Sequence, residues 1–369
     1  MLPTAADDLR VQLTMPVWTI NRSTDRSYVY ERFARLGERY PLQFAPADAV
    51  EYLAAWNARY LAARALKLAG VTLEYGLWTP RIRRRSAGEV VFSYGEFPDG
   101  YDDVPIVWEH TFAPQLTSDE TAWQERWRAR ASSIVERATR IVTATEVSVE
   151  WFARMFPRAA TKVRCVPYYL PDITAISEDA LRAKLADSAR VRVLFVGKEA
   201  RRKGLPQFVA AYRELDAATQ RQLDVHVISA MLDGVVELPA TWHWQRSVPD
   251  VQVAMRDAHA FVFPSLTEAF GLVLVEAMAA GCMPVSTIAP LQRSIVGDEA
   301  GLFADPRDPS ALADCLRTLV RDRDRLQHGM RAARDRFDRR YAAEQVGRGY
   351  ANLLWEGAGR SGSAPVRGR

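Results

Sequence analysis

The sequence is poor in cysteine and has no long apolar run. Its three cysteines among 369 residues lie far apart, so their spacing indicates neither a disulfide framework nor a zinc site. No stretch approaches the about 20 apolar residues that span a bilayer, and residues 1–10 lack the basic and apolar segments of a signal peptide. We therefore expect a cytoplasmic protein whose thiols are reduced.

Excess charge of either sign is also missing. The net charge of +4 is slight for this length, and acidic residues are interspersed with basic ones along the chain. Charge therefore gives no reason to expect a nucleic-acid partner. With 48% hydrophobic and 25% charged residues, the composition is typical of a globular protein, and the length is sufficient for two domains.

Residues 260–285 form the segment around which the rest of the chain can be arranged. A short apolar run at residues 260–263 ends at Pro264, which is typical of a buried strand in a parallel sheet. A polar loop follows, and then an apolar helix at residues 271–280 that ends at Gly281. The segment is thus predicted to form a strand, a loop and a helix in direct succession.

The predicted helix carries one carboxylate, Glu276, whose apolar neighbours predict that it is buried and needs a partner. An arginine elsewhere in the chain is one candidate. The spacing favours a ligand instead, because a helical side chain leans towards the helix N-terminus and Glu268 precedes that end. Helix N-termini attract anions, and the amides expected at this one belong to Phe270, Gly271 and Leu272.

This stretch resembles the E-x7-E motif of retaining, nucleotide-sugar-dependent glycosyltransferases with the GT-B fold, the family 4 type or glycosyl transferases group 1. The resemblance implies that Glu268 lies near the donor sugar and that Glu276 binds the ribose hydroxyls. It also implies that the intervening amides contact phosphate or sugar. The sequence departs from the family at Ala269, where glycine is usual. The match consists of Glu268, Phe270, Gly271, Glu276, Ala277, Gly281 and Pro284.

Residues 1–170 alternate apolar strands with helices and are predicted to form a first Rossmann-like domain, the acceptor domain of the resembled fold. The polar segment at residues 167–189 is the expected linker. Strands are expected at residues 11–18, 89–94, 104–109, 140–144 and 162–166, and helices at residues 27–40, 48–68, 118–139 and 146–156.

Residues 171–340 repeat the alternation and are predicted to form a second Rossmann-like domain, which would bind the donor. In the GT-B architecture, two such α/β domains with parallel sheets face a central cleft. The resemblance further implies that a helix at residues 341–356 crosses back to the first domain. Residues 357–369 are rich in glycine, serine and arginine, so we expect them to form a disordered tail.

Lysine is scarce, yet two of the five lysines, Lys198 and Lys203, lie in the single loop at residues 197–204. This concentration favours a phosphate site over a solvated loop. The resembled family has basic residues at both positions, although arginine is commoner at the first. Arg201 and Arg202 are expected to face solvent. The family's base-recognition loop corresponds to Arg246, Ser247 and Val248.

His110 is expected just after a parallel strand, at the edge where such sheets bind ligands. A structural histidine is the alternative, but the context WEHTF resembles the family's first-domain histidine that approaches the donor sugar. Glu109, beside it, has no independent functional argument. The family's glycine-rich loop has no counterpart here, because residues 16–25 contain no glycine, and acceptor contacts are therefore not assigned.

Two further patterns concern metals and membranes. Asp322 and Asp324 form an acid-x-acid pattern known from another glycosyltransferase fold, but they lie in a polar helix far from any strand end, so we predict no metal site. A cluster of arginines beside Trp78 suits the anionic inner face of a membrane, with a solvated loop or helix end as the alternative. The cluster consists of Arg81, Arg83, Arg84 and Arg85.

The sequence therefore predicts a metal-independent retaining glycosyltransferase that moves a sugar from a nucleoside diphosphate to a hydroxyl of a glycan, glycolipid or small molecule. No cofactor is expected. The alternatives are a sugar-nucleotide epimerase, hydrolase or phosphorylase with the same fold, and a non-catalytic scaffold that binds partners. The predicted catalytic residues are His110, Lys203 and Glu268. The predicted donor-binding residues are Lys198, Ser247, Val248, Phe270, Gly271, Leu272 and Glu276.

Overall fold

The chain divides into two compact units, each described here by itself. Unit 1 comprises Met1–Pro171 with Val346–Arg369, and unit 2 comprises Asp172–Gln345. Each unit contains a parallel sheet of six strands, which confirms the predicted α/β architecture of two Rossmann-like sheets. The computed structural model describes residues 8–14, 20–21, 26–46, 89–94, 104–110, 131–186, 190–230, 232, 234–266, 268 and 270–367.

The sheet of unit 1 is accompanied by a short antiparallel pair of strands. Its strands are β1 (Leu9–Thr14), β2 (Ile20–Asn21), β3 (Arg26–Ser27), β4 (Leu42–Pro46), β5 (Val90–Tyr94), β6 (Ile106–His110), β7 (Arg140–Thr143) and β8 (Val163–Cys165). The six-stranded order is β4-β1-β5-β6-β7-β8, and β2 pairs with β3. The helices described before residue 171 are α1 (Tyr28–Arg39), α2 (Glu146–Met155), the 3-10 helix Pro157–Lys162 and the helical residues 131–137.

One strand of unit 1, β4, was not predicted from the sequence. It begins after Pro41 and ends at Pro46, and two prolines within six residues are typical of a loop. The structure tolerates them because β4 lies at the edge of the sheet and pairs in parallel with β1. Proline at an edge removes no ladder hydrogen bond from a central strand.

Unit 2 has the sheet order β11-β10-β9-β12-β13-β14 with every pair parallel. Its strands are β9 (Val191–Val196), β10 (Leu223–Ile228), β11 (His243–Gln245), β12 (Ala260–Phe263), β13 (Met283–Thr287) and β14 (Leu302–Ala304). Its helices are α3 (Glu178–Ala186), α4 (Leu205–Arg213), α5 (Ala217–Arg221), α6 (Val251–Asp257), α7 (Leu272–Ala279), α8 (Pro290–Val296), α9 (Pro309–Arg321) and α10 (Arg323–Arg340).

The core of unit 2 lies between one face of this sheet and the helices that cover it. Val191, Val193 and Phe195 alternate along β9 and are fully buried, as the period of two in a strand requires. Phe208 of α4 and Leu316 of α9 belong to the same cluster. Full burial of each such side chain stabilises the fold by about 1.5 to 3 kcal/mol. The central strands are thereby held rigid below the loops that follow them.

The last helix, α11 (Ala343–Gly357), packs within unit 1. Tyr350 of this helix lies 5.2 Å from Phe33 and 5.9 Å from Phe92 between ring centroids. Gly357 comes so close to β6 that a Cβ there would lie 2.5 Å from Cγ2 of Val107. The helix is thus part of the aromatic core of unit 1.

The segment after α11 follows an ordered course up to residue 367, which differs from the disordered tail that its composition predicted. The amide of Arg367 donates to the carbonyl of Arg39 at 2.9 Å, and its guanidinium donates to the carbonyl of Tyr40 at 3.1 Å. Ala364 is buried. The amide of Ala364 also donates to Oδ1 of Asn352 at 2.9 Å, and Arg360 donates to Glu89 at 3.0 Å. Composition did not reveal this course, because it depends on a few specific contacts with distant residues.

In the part of the chain that the structure describes, no helix combines the length and the apolar character needed to cross a bilayer.

Candidate functional site

Two loops of unit 2 leave its sheet side by side. Residues 197–204 follow β9 and lead into α4, whereas residues 264–271 follow β12 and lead towards α7. Since β9 and β12 are neighbours in a parallel sheet, both loops start from the carboxyl edge where such sheets bind ligands. The amide of Leu266 donates to the carbonyl of Arg202 at 3.1 Å, which fixes one loop against the other.

The close approach of the loops depends on Gly204. Its φ is +82°, a backbone conformation that residues other than glycine rarely adopt. A Cβ at this position would lie 2.0 Å from the carbonyl oxygen of Pro264 in the opposite loop. Glycine is therefore required here both by the backbone conformation and by the contact.

The side chains of Lys203 and Glu268 meet between these loops. Nζ of Lys203 contacts Oε1 of Glu268, and the hydroxyl of Ser265 donates to the same oxygen at 2.7 Å. The ammonium also lies 5.0 Å from the ring centroid of Phe263. The side chains of Lys203 and Glu268 are 16% and 7% exposed, so the opposite charges attract each other more strongly than on an open surface. Two of the predicted catalytic residues are thus in contact.

Arg202, which was expected to face solvent, has a side chain that is 41% exposed and is also a further cation at this carboxylate. Its Nη1 lies 3.8 Å from Oε1 of Glu268, and its Nε and Nη2 donate to Glu199 at 3.1 and 3.2 Å. The Arg202 hydrogen bond holds the pKa of Glu199 below its usual range. The sequence carried no signal for this position, because only the path of the loop brings Arg202 near residue 268. Lys198, in the same loop, is exposed.

Gly271 is the N-cap of helix α7; it has a left-handed conformation at φ +87° and supplies no side-chain cap. The first amides of any α-helix lack an intrahelical partner, and the helix dipole adds positive partial charge at this end. Phe270 is buried and Leu272 is half-buried. The start of α7 thus has the chemistry expected of an anion site and directly follows the loop that carries Glu268.

Glu276 is half-buried, which corrects the prediction of a buried carboxylate. Leu272 and Val273 are also half-buried, whereas Leu274 and Val275 are fully buried. The helix therefore has one accessible side, which begins at its first turn and includes Glu276 one turn later. The sequence did not predict this accessible side, because the apolar residues leucine and valine occupy part of it.

The predicted base loop follows β11, the edge strand, and is separated from β9 by one intervening strand. Ser247 is exposed and Val248 is half-buried. Val248 lines a cavity of about 400 Å³ together with side chains of β10, β11 and α6. These two residues therefore lie at the same sheet as Lys203 and Glu268 but on strands farther towards its edge.

His110 is the last residue of β6 and lies in register with Thr143 of β7. Its backbone thus occupies the carboxyl edge of the unit 1 sheet, while the prediction for its side chain lies outside the described part of the structure. Most of the glycine-free loop at residues 16–25 also lies outside it. The same holds for the arginine cluster of Arg81, Arg83, Arg84 and Arg85.

A buried carboxyl group precedes His110 in β6. Glu109 is 1% exposed, and the hydroxyl of Tyr350 donates to its Oε2 at 2.9 Å. Burial raises the pKa of Glu109 to about 8, although the hydrogen bond from Tyr350 acts in the opposite direction. Glu109 is therefore neutral at pH 7. No sequence pattern predicted this contact, because Tyr350 lies 241 positions from Glu109.

The acid-x-acid pattern has a structural explanation. The carboxylate of Asp322 caps the start of α10 by accepting from the amide of Arg325 at 2.8 Å. Asp324 lies in the first turn of the same helix, where negative charge complements the helix dipole.

Comparison with known proteins finds similarity to one sequence family over part of the chain. Residues 177–336 match the profile of Glycosyl transferases group 1. The D-inositol 3-phosphate glycosyltransferase of Corynebacterium jeikeium (strain K411) is 29% identical over 243 residues, which cover 58% of this chain and 58% of that protein. The chain thus spans less than two thirds of the length of this curated relative.

Solved structures show the same fold at low sequence identity. Sucrose-phosphate synthase from Thermosynechococcus elongatus has a TM-score of 0.63 and 17% identity, and the likeness covers 94% of this chain and 98% of that one. HepE from Anabaena, in complex with UDP and glucose, has a TM-score of 0.58 and 12% identity, with 94% and 100% covered. The predicted GT-B fold class is thereby confirmed. Residues 177–336, which include Lys203, Glu268 and Glu276, are similar in sequence to Glycosyl transferases group 1.

Proposed function

We propose that this protein is a retaining glycosyltransferase that moves a sugar from a nucleoside diphosphate to a hydroxyl acceptor without a metal ion or cofactor. The observation that carries the proposal is the contact of Lys203 with Glu268, made by two loops at the carboxyl edge of the unit 2 sheet. Both residues lie within the segment that matches Glycosyl transferases group 1. The spacing of Glu268 and Glu276, which resembles the E-x7-E motif, supports retention of configuration.

The main chemical task is to stabilise the departing diphosphate. The ammonium of Lys203 has three N–H donors and contacts one carboxylate oxygen, so the other donors can bind phosphate. Lys198 and the amides at the start of α7 add positive charge from the same sheet edge. Removal of one preorganised donor of this kind costs about 10²- to 10³-fold in rate. These groups supply the charge that a metal ion supplies in other phosphate-releasing enzymes.

Glu268 positions the donor sugar in this proposal. Its contacts with Lys203, Ser265 and Arg202 all involve Oε1. We therefore assign Oε2 to a sugar hydroxyl, while Oε1 holds the carboxylate in place. Glu276 accepts from the ribose hydroxyls, and the backbone at Ser247 and Val248 contacts the base. The resemblance assigns His110 to the donor sugar as well.

The reaction follows from these roles and from the resemblance. The acceptor oxygen bonds to the anomeric carbon on the face from which the diphosphate departs, and the carbon–oxygen bond to the diphosphate breaks. A phosphate oxygen takes the acceptor proton, so the products are the glycoside and the protonated diphosphate. Glu268 and His110 orient and polarise the sugar and form no covalent intermediate.

The test combines a donor screen with product analysis in the presence of EDTA. UDP, GDP and ADP are first compared by calorimetry, with UDP foremost because HepE was solved with UDP. Turnover of the matching sugar nucleotides is then followed by NMR with trial acceptors, which include D-inositol 3-phosphate because the curated relative is named for it. A glycoside of unchanged anomeric configuration supports the proposal.

Other products of this screen would contradict it. Sugar release without an acceptor would indicate a hydrolase, and a changed sugar on an intact nucleotide would indicate an epimerase. Nucleotide binding without any turnover across the panel would indicate a non-catalytic scaffold. Turnover that requires a divalent cation would overturn the metal-free mechanism.

A further inference from the structure

Three side chains that commonly bind metal ions meet on one face of the unit 2 sheet. Asp224 and His226 are two positions apart on β10 and therefore face the same side. His243 of β11 is in direct register with His226. Nε2 of His226 lies 3.1 Å from Oδ2 of Asp224, and Nε2 of His243 lies 3.4 Å from Oδ1. One candidate ligand atom from each residue lies within 4.8 Å of the others.

These separations match the geometry of a bound ion. A tetrahedral zinc ion with bonds of about 2.0 to 2.2 Å holds its ligand atoms about 3.3 to 3.5 Å apart. The two nitrogen-to-oxygen distances, 3.1 Å to Oδ2 and 3.4 Å to Oδ1, are close to this range. They involve different carboxylate oxygens, so an ion would bind both oxygens or require rotation of the Asp224 side chain. Two imidazoles and one carboxylate favour zinc and related transition metals, whereas magnesium and calcium prefer oxygen ligands.

The surroundings suit such an ion. Nε of Arg192 donates to Oδ2 of Asp224 at 2.9 Å, which orients the carboxylate and leaves Oδ1 towards His243. His226 and His243 line the cavity of about 400 Å³, which gives an ion a path of entry and room for a water ligand. Asp250, which caps the start of α6, and Asp257, its last residue, also line this cavity and add negative charge.

We propose that Asp224, His226 and His243 form a binding site for a divalent transition metal ion, with zinc as the best fit and water as the fourth ligand. The ion would link the edge strand β11 to β10. In the sheet order, this site lies on strands beyond β9, away from the loop after β12, and takes no part in the sugar transfer itself.

The test measures zinc binding by protein that carries no histidine tag. After EDTA treatment and desalting, titration calorimetry with zinc chloride is expected to show one equivalent bound. His226→Ala and His243→Ala should each weaken binding by about tenfold or more. The matched control is His328→Ala, since His328 is an exposed histidine on α10. The zinc affinity of this variant should equal that of the wild type.

Two additional measurements keep the result unambiguous. Zinc should raise the Tm of the wild type and of His328→Ala, because binding to the folded state stabilises it, and should leave that of His226→Ala unchanged. Asp224→Asn, which keeps the side-chain shape, should also weaken zinc binding. The proposal is overturned if no equivalent binds, if the histidine variants bind as tightly as the wild type, or if Cys165→Ser alone removes binding. The EDTA-treated protein should retain its transferase activity, so this test and that of the proposed function can fail separately.

Discussion

Lys203 and Glu268 stand 65 positions apart in the sequence and are in direct contact in unit 2. Each belongs to a loop whose path depends on a glycine with positive φ, Gly204 in one case and Gly271 in the other. The ammonium and the carboxylate are therefore positioned by the fold before any ligand arrives. Such preorganisation is what makes charged groups effective in catalysis, since little reorganisation is needed during the reaction.

The loop contact at Gly204 predicts a specific loss of stability. Alanine there would bring its Cβ to 2.0 Å from a backbone oxygen, in addition to the cost of about 1 to 2 kcal/mol for a left-handed conformation. Gly234 is the matched control, because its φ is +68° and no described atom lies within 4 Å of a Cβ placed there. Urea unfolding should show a clearly larger loss for Gly204→Ala than for Gly234→Ala. Equal losses would mean that the two loops do not depend on this contact.

The half-buried position of Glu276 predicts that its replacement affects ligand binding more than stability. Glu276→Ala should weaken nucleoside diphosphate binding by about 1 to 3 kcal/mol, because a hydrogen-bonded charged acceptor for the ribose is lost. The Tm should change little. Calorimetry and thermal unfolding are compared with those of Glu299→Ala, a control at an exposed carboxylate. A large fall in Tm with unchanged affinity would show that Glu276 stabilises the fold and does not bind the ribose.

The buried carboxyl of Glu109 predicts how the stability of unit 1 depends on pH. Its pKa is about 8 in the folded protein against an ordinary value of 4.5. Between these values the folded state binds more protons than the unfolded state, so stability is fully present below about pH 4.5 and falls as the pH rises to about 8. At 1.36 kcal/mol per pH unit, the loss amounts to at most about 5 kcal/mol.

The variant Glu109→Gln tests this directly. Glutamine cannot ionise and can still accept the hydrogen bond from Tyr350, so its stability should not show this decline. Urea unfolding is measured at mildly acid and at mildly alkaline pH. The free energy of unfolding of the variant should increase relative to that of the wild type as the pH rises. Parallel pH profiles for the two proteins would contradict the assignment.

The sequence predicted the strands and helices well where hydrophobic periodicity dominates, as for β9 and the β12–α7 segment. It failed at β4, where edge position and not periodicity allows two prolines, and at the C-terminal segment, where a few specific contacts with distant residues supply the order that composition does not. For the candidate site, the sequence predicted Lys203 and Glu268, which are in contact in the structure, and their roles stay a prediction. It did not predict that Arg202 approaches Glu268 or that Glu276 is accessible, because both depend on the path of the backbone in three dimensions.

The arginine cluster leads to a prediction about the acceptor, although it lies outside the described residues. Replacement of Arg81, Arg83, Arg84 and Arg85 by glutamine should reduce co-sedimentation with anionic vesicles at low salt, since each basic residue near such a surface contributes about 1 kcal/mol. Neutral vesicles are the control. If the wild-type protein ignores anionic vesicles, the acceptor is met away from the membrane.

The central claim is that the Lys203–Glu268 contact belongs to a diphosphate-sugar site, and donor kinetics with Lys203→Ala test it most directly. The matched control is Arg201→Ala, which removes an exposed cation from the same loop. With EDTA present, Lys203→Ala should lower kcat/KM for the intact donor by about 10²-fold or more, leave binding of the free nucleoside nearly unchanged, and remain folded. Arg201→Ala should stay close to the wild type. Unchanged donor kinetics in a folded Lys203→Ala protein would contradict the account.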